Sequence, residues 1–348
     1  MKKVLFATSA VLALSMGSAF AGDNTAETNV GPGGHGNTIV NEQYGKSSDV
    51  KIDLLTDANH NDVQTYQDKW TEESKAEVEI YDADRNWVGI NQESAKYSHA
   101  RIEIRPGTSD DNWVGINQYE TALSGARATL KNGADENNVR IGQAYSLGAY
   151  ADVTVNNGDY NNVSVDQIGV LGSGASIYVS GDHNEAHVDQ FATKYSTARL
   201  SVDGDHNDAS IDQTLVAGSR ASSYVEGDWN TASINQEYGV GLRARQVVYG
   251  YENDAEINQT GRYNSASQYV AGWGNHALIE QRGLGNSASQ SIYGDKNHAY
   301  TYQSGVGNTA SVKIVGHRNY SLQVQGGYGN SDTASIHGTN NSYVSTQY

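Results

Sequence analysis

No cysteine occurs in the 348 residues, so no disulfide can staple the fold. Proline is almost as scarce, Pro32 and Pro106 being the only 2. Long stretches therefore keep every backbone N–H free to join a hydrogen-bonded ladder. Phenylalanine is rare too, 3 residues against 23 tyrosines, and apolar residues reach only 37%. That share argues against one large core and for many thin layers. After the N-terminal segment no apolar run approaches the roughly 20 residues that a membrane-crossing helix needs, so the chain is not expected to span a membrane. Positive charge is in short supply, 23 Lys and Arg against 40 Asp and Glu, a formal charge of −17. So acidic a surface argues against nucleic acid as a partner.

What is present is one phrase, repeated. Gly204 to Gln213 reads GDHNDASIDQ, and Gly227 to Gln236 reads GDWNTASINQ. The fixed positions are Asn, then a small or apolar residue two places on, an aliphatic at the fourth, and Gln at the sixth. Specification at every second residue is the pattern of a β-strand with one buried face. The leading Asn recurs at Asn37, Asn61, Asn86, Asn112, Asn137, Asn161, Asn184, Asn207, Asn230, Asn253, Asn275, Asn297, Asn319 and Asn341, and Gln follows six places later each time, from Gln43 to Gln347. The spacings shrink from 24–26 residues through 23 to 22. Length variation falls between the phrases, as expected where strands are constrained and turns are not.

Each repeat holds a second alternating segment, such as Ala175, Ile177, Val179 or Ala198, Leu200, Val202. Turn residues between the two are Gly, Asp, Asn and His, which accept positive φ or bond locally to the backbone. A strand-turn-strand unit cannot bury its face alone; stacking on its neighbours does so. The expected fold is all-β, a two-sheet parallel β-solenoid of about fourteen strand-turn-strand repeats of 22–26 residues, amyloid-like, with rungs about 4.8 Å apart. Inside each layer large faces small. The inward apolar positions include Ala186 and Val188, Ala209 and Ile211, Ala232 and Ile234, Ala255 and Ile257, Ala277 and Ile279.

At the layer margins the amides are expected to stack above their own copies, which makes them tolerable inside. The candidate self-assembly ladder pairs Asn184 with Gln190, Asn207 with Gln213, Asn230 with Gln236, Asn253 with Gln259, Asn275 with Gln281, Asn297 with Gln303, Asn319 with Gln325 and Asn341 with Gln347. The second strand mostly ends in Val or Ile, as at Val202, Val248, Ile292 and Ile314, so an aliphatic ridge is expected where a second Gln ladder could stand.

Three segments follow from this reading. Residues 1–21 carry Lys2 and Lys3, an apolar run and Ala19-Phe20-Ala21, the features of a secretory signal peptide. Residues 22–36 are Gly-rich without alternation and read as a flexible leader. Residues 37–348 are repeats, with no terminal cap visible in the sequence. Open ends of such a stack can recruit a second copy by strand addition.

The run QSGVGNTA from Gln303 to Ala310, and QRGLGNSA from Gln281 to Ala288, together with the Asn-x-Ala-x-x-x-Gln phrase, resemble the curlin repeat of bacterial extracellular amyloids. The resemblance extends from Asn37 to the C-terminus. It implies a structural subunit of curli-type fibres in a biofilm matrix and surface adhesion, self-assembling into a homopolymer by templated head-to-tail strand addition. It also implies a secreted, cell-surface location in a Gram-negative bacterium, reached through the periplasm. Its implied partners are further copies of itself, a minor or nucleating curlin subunit, and an outer-membrane secretion machinery.

Other chemistry finds little footing. No Ser-His-acid spacing or paired carboxylate stands out, so no catalytic residue, and no enzyme, is expected. His60, His183 and His206 precede a leading Asn and line turns rather than form a metal set, and no calcium-binding nonapeptide occurs near Asp205 or Asp228. No cofactor is expected. Trp87 and Trp113, in twin NWVGINQ phrases, point outward by alternation. A monomeric solenoid adhesin that binds ice or glycan is the alternative; mixed outward residues such as Asp208, Ser210, Asp212 and Thr231, Ser233, Asn235 speak against a regular array.

Overall fold

The computed structural model describes residues 12–17, as backbone only, and 24–31, 34–55, 58–81, 83–104 and 109–348. Among them every regular element is a strand, as the alternation requires. The strands form two parallel sheets, one of fifteen and one of fourteen, and successive strands alternate between them. The chain therefore winds as a β-solenoid: Asp208–Thr214 lies in the first sheet, Arg220–Asp228 in the second, and Thr231–Val240 returns to the first.

Like pairs with like. Ala209 stands on Ala186 and under Ala232, Ile211 on Val188 and under Ile234, and Gln213 on Gln190 and under Gln236. A slip of one residue would turn the apolar set to solvent, so the repeat pattern itself sets the register. The core is a single file of Ala, Val, Ile and Leu running the length of the stack. Ala186, Val188, Ala209, Ile211, Ala232, Ile234, Ala255, Ile257, Ala277 and Ile279 are all buried in it.

The arcs obey a stricter rule than the strands. Gly204, Gly227, Gly250 and Gly272 stack in one column at φ between +110° and +128°. That backbone region is essentially closed to side chains. A Cβ on Gly250 would also lie 2.0 Å from the carbonyl oxygen of Gly272 one rung on. The opposite arc changes type part-way. Up to Ala217 it carries an isolated parallel bridge in each rung. At Glu237 to Val240 the register shifts through a bulge, and afterwards the arc is the shorter Gly-x-Gly-Asn seen at Gly283 to Asn286. That one-residue loss is the step from 23 to 22.

The N-terminal segment departs from expectation. Thr25–Val30, within the residues read as a flexible leader, is a strand paired in parallel with Asp49–Leu55. Its side chains are exposed except for half-buried Val30, which packs on the core. Backbone pairing onto a preformed edge therefore recruits a segment that lacks any alternation of its own. The phrase read as a signal peptide contributes Leu12–Gly17, paired with Thr38–Gln43; residues 1–11 and 18–23 lie outside the described residues.

Gly250→Ala should lower the unfolding free energy far more than Gly218→Ala, by about 3 kcal/mol or more against about 1. Gly218 has φ +60° and nothing near its would-be Cβ, so it carries only the left-handed strain. Chemical denaturation followed by far-UV circular dichroism checks the contrast.

Candidate functional site

A buried amide must find both a donor's and an acceptor's partner, and stacking identical residues supplies them at rung spacing. The glutamine column is continuous. Gln190 Nε2 donates to Gln213 Oε1 at 2.7 Å, Gln213 to Gln236 at 2.8 Å and Gln236 to Gln259 at 2.8 Å. The same bond links Gln259 to Gln281, Gln281 to Gln303, Gln303 to Gln325 and Gln325 to Gln347. The second amide proton crosses the layer: Gln213 Nε2 also donates to Thr197 O, and Gln236 Nε2 to Arg220 O. Each glutamine thus ties its rung to the next and one sheet to the other.

The asparagine column uses a different bond pattern. Asn207 Oδ1 accepts from both the backbone N–H and Nδ2 of Asn230, at 3.0 and 3.1 Å, while Asn207 Nδ2 also reaches Gly227 O at 2.6 Å. Asn184, Asn253, Asn275, Asn297, Asn319 and Asn341 repeat the links. Of the sixteen ladder residues fourteen are buried; Asn341 is exposed and Gln347 half-buried, because no rung follows them among the described residues.

The two columns point in opposite directions. In the glutamine column each Nε2 donates to the Oε1 of the higher-numbered rung, whereas in the asparagine column each Oδ1 accepts from the higher-numbered rung and Nδ2 is shared between the lower-numbered Oδ1 and a glycine carbonyl of the higher-numbered rung. Beyond the bonds made among the described residues, Gln347 keeps an Nε2 proton and Asn341 its Oδ1 at one end, and Gln43 keeps its Oε1 and Asn37 an Nδ2 proton at the other, on the edge along which Leu12–Gly17 pairs. The two end faces are complementary, not identical.

The expected aliphatic ridge stands at the ends of the second-sheet strands, with Val202, Val248, Ile292 and Ile314 all buried, but a polar file runs beside it. Ser223 Oγ donates to Gln246 Oε1, Gln246 Nε2 to Gln268 Oε1 and Gln268 Nε2 to Gln290 Oε1, a short second glutamine file inside the second sheet. It stands at the middle inward position, between Ala and Val or Ile, so the terminal Val248, Val270 and Ile292 keep their aliphatic packing. The far arc hides another column. Ser98, Ser196 and Ser219 each donate a backbone N–H to the serine Oγ one rung back, and Asn286 and Asn308 bond the same way to Asn264 and Asn286. The Asn-Ser-Ala-Ser-Gln phrase at Asn264 and Asn286 is the sequence signal for both files. In earlier repeats a lone Ser carries too little pattern to stand out.

Charged residues stack as readily as amides, with opposite consequences. Asp166, Asp189 and Asp212 form an in-register column on the outer face of the first sheet. Burial first, then the neighbouring Asp166 carboxylate, pushes the Asp189 pKa up; burial and Asp189 do the same to Asp212, with His187 opposing both. Histidines gather at a turn without forming a metal set. Tyr160, His183, His206 and Trp229 stack ring on ring, the two imidazoles 4.8 Å apart and parallel. Among the described residues no cluster of three His, Cys, Asp or Glu is placed to hold a metal ion.

A carboxyl whose folded pKa lies above its ordinary 3.8 costs stability when ionised. That cost is full above the raised pKa and vanishes as pH falls through it toward 3.8. Asp189→Asn should therefore raise the thermal midpoint at pH 7, and the gain over the parent should shrink as pH approaches 4. Paired thermal melts across that range measure it.

Residues 250–283 match the family model of the curlin associated repeat. The window takes in the strands Asp254–Arg262 and Ser265–Trp273 and part of His276–Leu284, with Gln259, Gln268 and Gln281 inside it. No curated protein matches the chain. Repeat and fold together point to a structural protein rather than an enzyme.

Proposed function

We propose, for a chain that carries the curlin associated repeat on a fourteen-turn β-solenoid, that it is the subunit of an extracellular curli-type amyloid fibre. The observation that carries this reading is the directional pair of amide columns with complementary ends. A second copy placed head to tail lets Gln347 Nε2 donate to its Gln43 Oε1, and lets Asn341 Oδ1 accept from its Asn37. The joint then repeats the internal one, with 2.7–3.0 Å bonds of the kind already made between rungs. A heterologous contact that continues the stack along its own axis does not close into a ring and leads to a filament.

Strand addition is the elementary step. The end strands Ser331–Thr339 and Ser342–Gln347 pair on one side only among the described residues, leaving backbone groups for an incoming rung. At the other end, Leu12–Gly17 occupies the side of Thr38–Gln43 on which that rung would pair. On this reading, removal of residues 1–21 during secretion frees the edge, so that export and competence to assemble are coupled. Biofilm matrix and surface adhesion are the roles such fibres would serve. Minor curlin subunits and an outer-membrane secretion pore would be the partners.

Substitutions at the ends separate growth from folding. In the chain that begins at Gly22, Gln43→Lys and Gln347→Lys should leave circular dichroism unchanged and slow seeded fibre elongation at least tenfold. Gln213→Lys with Gln236→Lys, inside the stack, should abolish both folding and fibres, each orphaned or charged group costing several kcal/mol. Fibres growing at the parent's rate from the end variants would sink the head-to-tail reading.

A further inference from the structure

The outer face of the first sheet loses its middle row of side chains at one place. In every other rung the middle outward position carries a side chain, for instance Gln64, Arg140 or Ser164, but in two successive rungs it is Gly89 and Gly115. The residues two places before them, Trp87 and Trp113, fold across the gap. A Cβ on Gly89 would meet Trp87 Cη2 at 2.5 Å, and one on Gly115 would meet Trp113 Cη2 at 2.9 Å. Only glycine allows the indoles to lie down there. The two rings are parallel within 3°, with centroids 4.8 Å apart, so they overlap like shingles, Trp87 half-buried and Trp113 exposed.

The result is a cleft of about 510 Å³, within the size range of small-ligand sites. Asn91 and Asn117 stand in register along its other side, and Gln64 and Tyr66 close one end. Asn91 Nδ2 is held by Glu93 Oε1 at 2.8 Å, while its Oδ1 has no partner and no solvent contact. Of the residues that line it two are charged, Glu42 at one end and, at the other, Arg140, which leans on Asp166 at 3.5 Å; Glu93 flanks it behind Asn91.

We infer that this cleft binds a neutral oligosaccharide of pyranose units with equatorial hydroxyls. Such rings present apolar C–H faces to tilted indoles, and their edge hydroxyls both donate and accept, as amides do. Two identical Trp-Gly-Asn sets at rung spacing offer consecutive sugars the same contacts. A polyanion would find one cation, already engaged by Asp166, and a polycation would find Glu42 alone among the lining residues, since Glu93 holds Asn91 and Asp166 holds Arg140, so charge complementarity favours an uncharged chain. A second copy of the protein is the poorer occupant: a sheet-mating face would repeat along the stack, and this gap spans two rungs alone.

The inference does not depend on fibre formation, and its test is made on the chain from Gly22 in whichever state it adopts. A β-linked glucose hexasaccharide should change tryptophan fluorescence saturably and give calorimetric heat with a Kd of about 0.1–1 mM. Trp113→Ala and the milder Asn117→Ala should weaken binding at least tenfold while leaving circular dichroism and seeded growth as in the parent. A galacturonate hexasaccharide should bind at least tenfold more weakly. Absence of saturation to 10 mM sugar, equal binding by Trp113→Ala, or a response to a planar aromatic dye alone would overturn it.

Discussion

Everything in this molecule follows from the cost of burying an amide without a partner. A side-chain carboxamide removed from water and left unbonded costs on the order of 1–3 kcal/mol. Here two columns of them run through the interior, and the one arrangement that satisfies each is an identical residue directly above and below. The amides therefore enforce in-register stacking where the apolar core alone would tolerate sliding between similar aliphatic residues. Gln213 does this twice over, bonding along the stack to Gln236 and across it to Thr197.

In-register stacking then propagates to every other position, for better and worse. It brings the glycines of one arc within contact of the next glycine's carbonyl, so that Gly250 can carry no side chain. It lays His183 on His206 and Trp87 on Trp113. The same rule stacks Asp166, Asp189 and Asp212, whose mutual repulsion the rung spacing cannot relieve. Repetition also keeps the molecule tolerant of length changes in the arcs. The bulge between Glu237 and Val240 absorbs a deletion while the columns on either side continue unbroken.

Much of this was legible beforehand. The alternation in GDHNDASIDQ assigned Ala209 and Ile211 to the core and Asn207 and Gln213 to its margins, and they stand there. The strand at Thr25–Val30 was not legible, because its pairing depends on an edge supplied by Asp49–Leu55 and not on its own residues. The file Gln246, Gln268, Gln290 was hidden for another reason. Comparing only strand ends shows Val and Ile, whereas the glutamines sit mid-strand, where earlier repeats carry Ile177 or Leu200.

By itself the sequence determined the repeat, the period-two faces, the parallel stacking of like on like and the identity of the buried amides, since all of these are local patterns multiplied by recurrence. Tertiary structure alone decided the direction in which each amide donates, because Nε2 and Oε1 are equivalent in a sequence and become distinct only when a neighbour occupies one side. It also decided which outward residues meet. Alternation says that Trp87 and Gly89 share a face, but only the folded sheet shows an indole laid over a missing side chain, with its twin shingled beside it.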